Sequence, residues 1–162
     1  THPHPDHIGG LVSDGKPAFP AAKVHFSEAD WAFLRSQSDQ AALVTAIAPQ
    51  VTTFAPGASL SAHIASQAIP GHTPGHVGYR IEDGAHKLLV IGDAAHSAIL
   101  SLAKPDWTMG FDGDQAEARQ SRHALLSELA QSHTVIFAPH FPYPGIGRIE
   151  ARGDGFVWVP VK

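Results

Sequence analysis

Residues 1–10 read Thr1-His2-Pro3-His4-Pro5-Asp6-His7-Ile8-Gly9-Gly10, and four of these ten side chains are metal ligands by type. His2, His4, Asp6 and His7 form an H-x-H-x-D-H cluster. In an extended segment residues i and i+2 share a face, so His2 and His4 point to one side. Asp6 and His7 are adjacent where the chain turns and face a second point nearby. One short loop can therefore hold two metal ions. At a separation of roughly 3.5–4 Å two such ions clamp a bridging water, as hydroxide, between two Lewis acids. A solvated polar loop is a poor explanation for four ligand-type residues in six positions, closed by Gly9-Gly10.

Composition adds limits. At 162 residues the chain has the length of one domain, with 43% hydrophobic and only 16% charged residues, which is globular rather than disordered. Twelve histidines outnumber the eleven Lys plus Arg, and His is the commonest metal ligand near neutral pH. A formal charge of −4 with no basic run argues against a nucleic-acid partner. No run approaches eighteen consecutive apolar residues, so no membrane span is expected. There is no cysteine, which excludes thiolate zinc sites and disulfides and leaves the redox compartment open. The N and O ligands that remain suit Zn, Mn, Fe or Co without choosing among them.

The ligand motif is already in progress at Thr1, whereas a ligand loop ordinarily hangs from the end of a buried strand. The expectation is a C-terminal portion of a longer protein, with any signal region ahead of Thr1 and the compartment, periplasmic or cytoplasmic, undetermined.

Along the chain, Ile8 to Val12 fit a short helix or tight connection. Ala21 to Phe26 read as a strand with Ala22, Val24 and Phe26 on one face. Ser27 caps a helix from Glu28 to about Arg35, with Glu28 and Asp30 in the first turn where the dipole favours acids and Trp31 and Leu34 on the apolar face. A second helix over about Gln40 to Ala48 ends before Pro49. Residues 60–69 alternate weakly as a strand. Val77–Ile81 and Lys87–Ile91 form a hairpin around Glu82-Asp83-Gly84. Asp114 caps a helix to about Ala130, with Ala118, Leu125, Leu126 and Leu129 at helical spacing. Thr134–Ala138 is a short buried strand, and Ile149–Arg152 with Phe156–Val159 make a last hairpin. Strands interspersed with helices give layered α/β or α+β packing.

Three later loops each place a ligand-type residue after a strand. Gly71-His72-Thr73-Pro74-Gly75-His76 fixes a turn with glycines and prolines. Asp93 follows Leu88-Leu89-Val90-Ile91-Gly92, and His140 follows Val135-Ile136-Phe137-Ala138-Pro139. Strand ends beside Gly or Pro are where layered α/β enzymes keep their chemistry. With the first loop these give seven ligands, enough for two metals.

These loops, in this order, resemble the metallo-β-lactamase superfamily, whose fold is an α+β αββα sandwich with the metal site at one edge of two packed sheets. The softer pattern Gly71-His72-Thr73-Pro74-Gly75-His76, Leu89-Val90-Ile91-Gly92-Asp93 and His140-Phe141-Pro142-Tyr143-Pro144-Gly145-Ile146-Gly147-Arg148, with the closing Gly155-Phe156-Val157-Trp158-Val159-Pro160-Val161, is most similar to the methyl parathion hydrolase-like branch. The resemblance covers essentially all of residues 1–162, read as a metallohydrolase domain lacking its N-terminal sheet layer. It implies two divalent metal ions, with Zn expected and Mn, Fe and Co compatible. One would sit on His2, His4 and His72, the other on Asp6, His7 and His140, with Asp93 bridging. His76 is expected as a supporting or packing residue, and His96 near the site or at the surface, outside the ligand set. His25, His63, His86, His123 and His133 read as ordinary structure.

The implied chemistry is hydrolysis by a metal-bridging hydroxide, with Asp93 setting the metal separation and Asp6 orienting the water and accepting its proton. The expected pocket uses Phe141, Tyr143 and Ile146 beside His140, with Trp107, Met109 and Phe111, core packing being the other reading of this group. Such a lining suits a small-molecule ester, lactone or organophosphate triester. A thioester hydrolase like glyoxalase II, a β-lactamase, and a catalytically silent metal-binding fragment are the alternatives. A homodimer is left open.

Overall fold

The opening segment stays extended through His4 (φ −72°, ψ 151°) and then enters one helical turn, α1 (Pro5–Ile8), in a computed structural model that describes residues 1–161. Proline suits this first helical position, because its φ is already helical and its missing N–H would have had no partner. The N–H groups of His7 and Ile8 both donate to the His4 carbonyl, at 2.9 and 3.1 Å. The helical turn thus starts ahead of the expected Ile8–Val12 and continues as a 3-10 turn at Gly9–Leu11. Asp6 and His7 lie on it.

A small hairpin, β1 (Val12–Ser13) with β2 (Lys16–Pro17), leads to β3 (Val24–Ser27). The expected strand from Ala21 is shorter than its alternation suggests, because Ala21 to Lys23 are exposed and the pairing with β4 starts at Val24. Ser27 caps α2 (Glu28–Ser36) by accepting from the Asp30 N–H at 3.2 Å. Helix α3 (Ala41–Ile47) follows, and β4 (Val51–Phe54), absent from the sequence reading, returns parallel to β3. Phe26, Leu34 and Ile47, with Ile8 from α1, are the buried centre of this unit.

The main sheet contains β5 (Ile64–Ala68), β6 (Val77–Asp83), β7 (His86–Val90), β8 (Val135–Phe137), β9 (Ile146–Arg152) and β10 (Gly155–Pro160), in the order β10-β9-β8-β7-β6-β5. Between β7 and β8 the chain forms α4 (Leu100–Ala103) and α5 (Gln115–Ser132). Asp114 caps α5 by accepting from the N–H groups of Ala116 and Glu117. Leu125, Leu126 and Leu129 of α5 pack on Leu89, Ile91, Ile136, Ile149 and Phe156 of the sheet and its strand ends. Each such buried side chain contributes about 1.5–3 kcal/mol. Strand β9 begins at Ile146, three residues before the expected Ile149, because Gly147 belongs to it. A Cβ there would come within 2.6 Å of the Trp158 ring, so the position takes glycine for packing within a strand.

The opposite face of the sheet borders an apolar cleft of about 550 Å³ lined by Leu11, Phe19, Val24, Ile64, Tyr79 and Ile81, among others. The α+β class and the helix-on-sheet layering agree with the sandwich expectation, and the residues flanking the β1–β2 hairpin, with strand β3, border the cleft on this second face. Among the described residues no helix is long and apolar enough to cross a membrane.

Strand direction places the site. β6 is antiparallel to both β5 and β7, and β7 is parallel to β8. β5, β7 and β8 therefore run the same way, and the loops after them, carrying His72, Asp93 and His140, leave one edge of the sheet together.

Candidate metal centre

All seven expected ligand residues meet at that edge. They form two groups that share Asp93, namely His2, His4, His72 and Asp93, and Asp6, His7, His140 and Asp93, with one potential ligand atom from each residue of a group within 4.8 Å of the others. In the first, His4 Nδ1 lies 3.1 Å from His2 Nε2 and 2.9 Å from His72 Nε2. Asp93 Oδ2 is 3.4 Å from His72 Nε2 and 3.7 Å from His2 Nε2. In the second, Asp93 Oδ1 is 3.0 Å from His7 Nε2 and 3.1 Å from His140 Nε2. Asp6 Oδ2 is 3.6 and 3.7 Å from the same two nitrogens. Asp93 Oδ2 thus faces His2 and His72 and Oδ1 faces His7, while His140 Nε2 lies 3.1 Å from both oxygens.

The residues fit a pair of divalent cations. Asp93 Oδ1 is buried without a hydrogen-bond partner, while imidazole nitrogens from three loops converge on the carboxylate. An unpartnered buried carboxylate oxygen costs several kcal/mol unless a charge compensates it. Burial pushes the His2 and His4 imidazoles below their ordinary value, which keeps them neutral, the form that ligates metal. For Asp93, burial alone would raise the carboxyl, but the adjoining His7 and His96 rings outweigh it and hold it far below the usual range.

The loops are held by specific contacts. Gly71 has φ +118°, and a Cβ there would come 2.1 Å from the backbone nitrogen of Ala118. The Gly71 and His72 carbonyls accept from the N–H groups of Asp114 and Gly113, so the His72 loop lies backbone to backbone on the start of α5. From the other side, Asp30 accepts from Thr73 Oγ1 at 2.8 Å and from the Gly75 N–H at 2.7 Å, and Ser27 Oγ donates to the Gly75 carbonyl. Asp30 is more than the dipole-favoured surface acid that its place in the helix suggested. It is buried, and burial pushes its carboxyl up despite those two bonds.

His76 supports the Asp93 loop. Its Nδ1 donates to the Ile69 carbonyl at 2.9 Å and its Nε2 accepts from the Asp93 N–H at 3.0 Å. Burial lowers its pKa to about 3. His96 is not at the surface. Its Nε2 lies 3.3 Å from Asp93 Oδ2, its ring stacks on His140 at 5.6 Å, and both ring nitrogens are buried without partners.

A cavity of about 480 Å³ opens over this cluster, lined by His4, Pro5, Asp6, His72, Asp93, His96, Phe111 and His140. Of the six apolar residues expected here only Phe111 lines it. Phe141 packs edge-on against Trp158, 5.0 Å away, in the core, so the core-packing reading holds for that residue. Tyr143 is 98% exposed, and Trp107 and Ile146 are exposed outside the cavity.

Two residues missed in the sequence complete the centre. Asp112 Oδ1 accepts from His72 Nδ1 at 3.0 Å, and its Oδ2 accepts from Arg122 Nη2 at 2.7 Å. Burial would raise the Asp112 carboxyl, but the His72 bond and the Arg122 guanidinium together hold it below its ordinary value. A signal was present: Arg122 falls on the same face of the helix as Ala118, Leu125 and Leu129. An arginine on an apolar stripe needs a buried partner.

A profile of the metallo-beta-lactamase superfamily matches residues 1–140. No curated protein matches the chain. Among solved structures, AidC, described as a dizinc quorum-quenching lactonase, is 32% identical with a TM-score of 0.93 over 99% of this chain and 62% of its own. The hydrolase AbOPH of the beta lactamase superfamily is 27% identical with a TM-score of 0.88 over 99% of this chain and 62% of its own. A probable metal-dependent hydrolase from Staphylococcus aureus, 17% identical over 100% of this chain and 61% of its own, shares the fold with a TM-score of 0.81. The chain spans about 62% of the length of the first two.

Proposed function

The chain belongs to the metallo-beta-lactamase superfamily, and we propose that the intact protein is a dinuclear metal-dependent hydrolase of neutral lactones or aryl esters, with weaker action on organophosphate triesters. His2, His4 and His72 would hold one cation, Asp6, His7 and His140 the other, and Asp93 would join them. The observation that carries this reading is the shared place of Asp93, with Oδ2 toward His2 and His72, Oδ1 toward His7, and His140 Nε2 at 3.1 Å from both oxygens. Two divalent cations, zinc by preference, would supply Lewis acidity and a water of lowered pKa.

The chain's own groups do the rest. Asp6 is exposed and borders the cavity beside His7 and His140, where the carboxylate oxygen not given to the cation would orient a water and take up its proton. Phe111 gives the cavity an apolar wall, and His76 keeps the Asp93 backbone in place from below. The cavity lining includes no Lys or Arg, which disfavours a phosphate dianion and suits an uncharged substrate. The likeness to a lactonase supports the same choice. Residues 1–162 would act as part of one such domain, a reading supported by the apolar cleft on the second face of the sheet.

The test is a substrate panel on zinc-loaded, full-length protein. Turnover of acyl lactones and aryl esters well above that of phosphodiesters, thioesters and β-lactams is expected. A wide preference for any of the last three would overturn the substrate class.

A further inference from the structure

The carboxylate behind His72 does something the ligand geometry alone does not. Asp112 and Arg122 are both buried, and neither touches the cavity. Ionised, Asp112 can only accept hydrogen bonds, and a guanidinium can only donate them. With Oδ2 committed to Arg122, Oδ1 is left to accept from His72 Nδ1. The ring proton is thereby fixed on Nδ1, and the lone pair of Nε2 is left facing His4 and Asp93. Arg122 is itself anchored, its Nε donating to the Ala94 carbonyl at 2.9 Å and its Nη1 to the carbonyls of Trp107 and Pro105. Ala94 is the residue after Asp93, so this one side chain also ties the Asp93 loop to the orientation of His72.

We propose that Asp112 is a positioning residue that sets the tautomer of His72, and that Arg122 dictates which atom at position 112 faces the ring. The inference rests on the reading of His72 as a ligand only for its effect on metal affinity, since the tautomer is defined without metal. Asp112→Asn makes the logic visible. The amide is nearly isosteric, but Arg122 can accept nothing, so it claims the amide oxygen and turns the NH2 toward His72. His72 Nδ1 must then accept, its proton moves to Nε2, and the nitrogen facing the cluster loses its lone pair.

The experiment is long-range 15N–1H correlation NMR on full-length, metal-free protein, with zinc affinities by chelator competition on the same samples. Wild type is expected to carry the His72 proton on Nδ1 and Asp112→Asn on Nε2. In Asp112→Asn one zinc should bind about 10–100-fold more weakly, the usual cost of losing a ligand's supporting partner, with the other little changed. In Asp112→Asn combined with Arg122→Met the amide oxygen is released toward His72, so the Nδ1 proton and the lost affinity should return, although the fold is weakened. A His72 that keeps its Nδ1 proton in Asp112→Asn, or carries it on Nε2 in wild type, overturns the role of Asp112. Failure of the double variant to restore the tautomer overturns the role of Arg122. If wild type binds no zinc, the dinuclear reading fails, and the tautomers still decide this one.

Discussion

Gly71→Ala is expected to injure both stability and the metal centre. At φ +118° an alanine strains the backbone by about 1–3 kcal/mol. Its Cβ would stand 2.1 Å from Ala118 N and 2.5 Å from Ala118 Cα, backbone atoms of α5 that no rotamer change can move aside. Forcing a methyl into packed surroundings costs about another 1–3 kcal/mol. The expected loss is therefore about 2–6 kcal/mol. Relief requires the loop to recede from α5 by more than 1 Å, which carries His72, the next residue, away from His4 and Asp93. A misplacement of about 1 Å at a site of this kind costs on the order of 100-fold in rate. Urea unfolding and zinc affinity of full-length Gly71→Ala should be compared with Gly110→Ala, where an added Cβ meets nothing within 4 Å. If the two variants unfold within about 0.5 kcal/mol of each other, the span usual for a harmless surface change, and bind zinc alike, the close approach of this loop to α5 does not govern the site.

Asp93→Ala removes a group shared by both ligand sets and should lower activity more than His76→Ala or His96→Ala, for which about 10–100-fold is expected; wild-type turnover by Asp93→Ala would exclude it from the centre. Burial holds His76 near a pKa of about 3 against an ordinary 6.5. Between those values the unfolded chain binds more protons than the folded one, so the stability of metal-free protein should rise with pH across this window. Denaturant midpoints at pH 5 and pH 7.5 check this, and equal midpoints would contradict it. Chelation should lower the melting temperature of the full-length protein, since a ligand present at 100 times its Kd stabilises by about 2.7 kcal/mol. An unchanged calorimetric transition after complete metal removal would argue against a built metal site.

The candidate centre was legible because only a few residue types can ligate a metal, and they cluster here. His2, His4, Asp6 and His7 announce themselves in one loop, and His72, Asp93 and His140 each follow a strand that ends beside Gly or Pro. Their convergence depends on β5, β7 and β8 pointing the same way, which the sequence does not state but the order of strands and crossover helices makes natural. What supports the ligands was harder to see. Asp112 sits in an Asp-Gly-Asp turn that reads as a helix start, and its partner is ten residues on. Asp30 satisfies a generic rule for first-turn acids while bonding to residues more than forty positions away. Strand β4 is four residues long, and its pairing with β3 is non-local. The cavity wall failed for a related reason: hydrophobicity near a ligand does not say whether a ring faces the cavity, as Phe111 does, or the core, as Phe141 does.

The most direct test of the central claim is a zinc-edge anomalous diffraction measurement on crystals of the full-length protein, with metal content measured on the same preparation. The account predicts close to two zinc ions per chain, roughly 3.5–4 Å apart. One should lie among His2, His4 and His72, the other among Asp6, His7 and His140, with Asp93 between them. A ratio near zero after supplementation, or a lone ion that leaves one group of histidines empty, would contradict it.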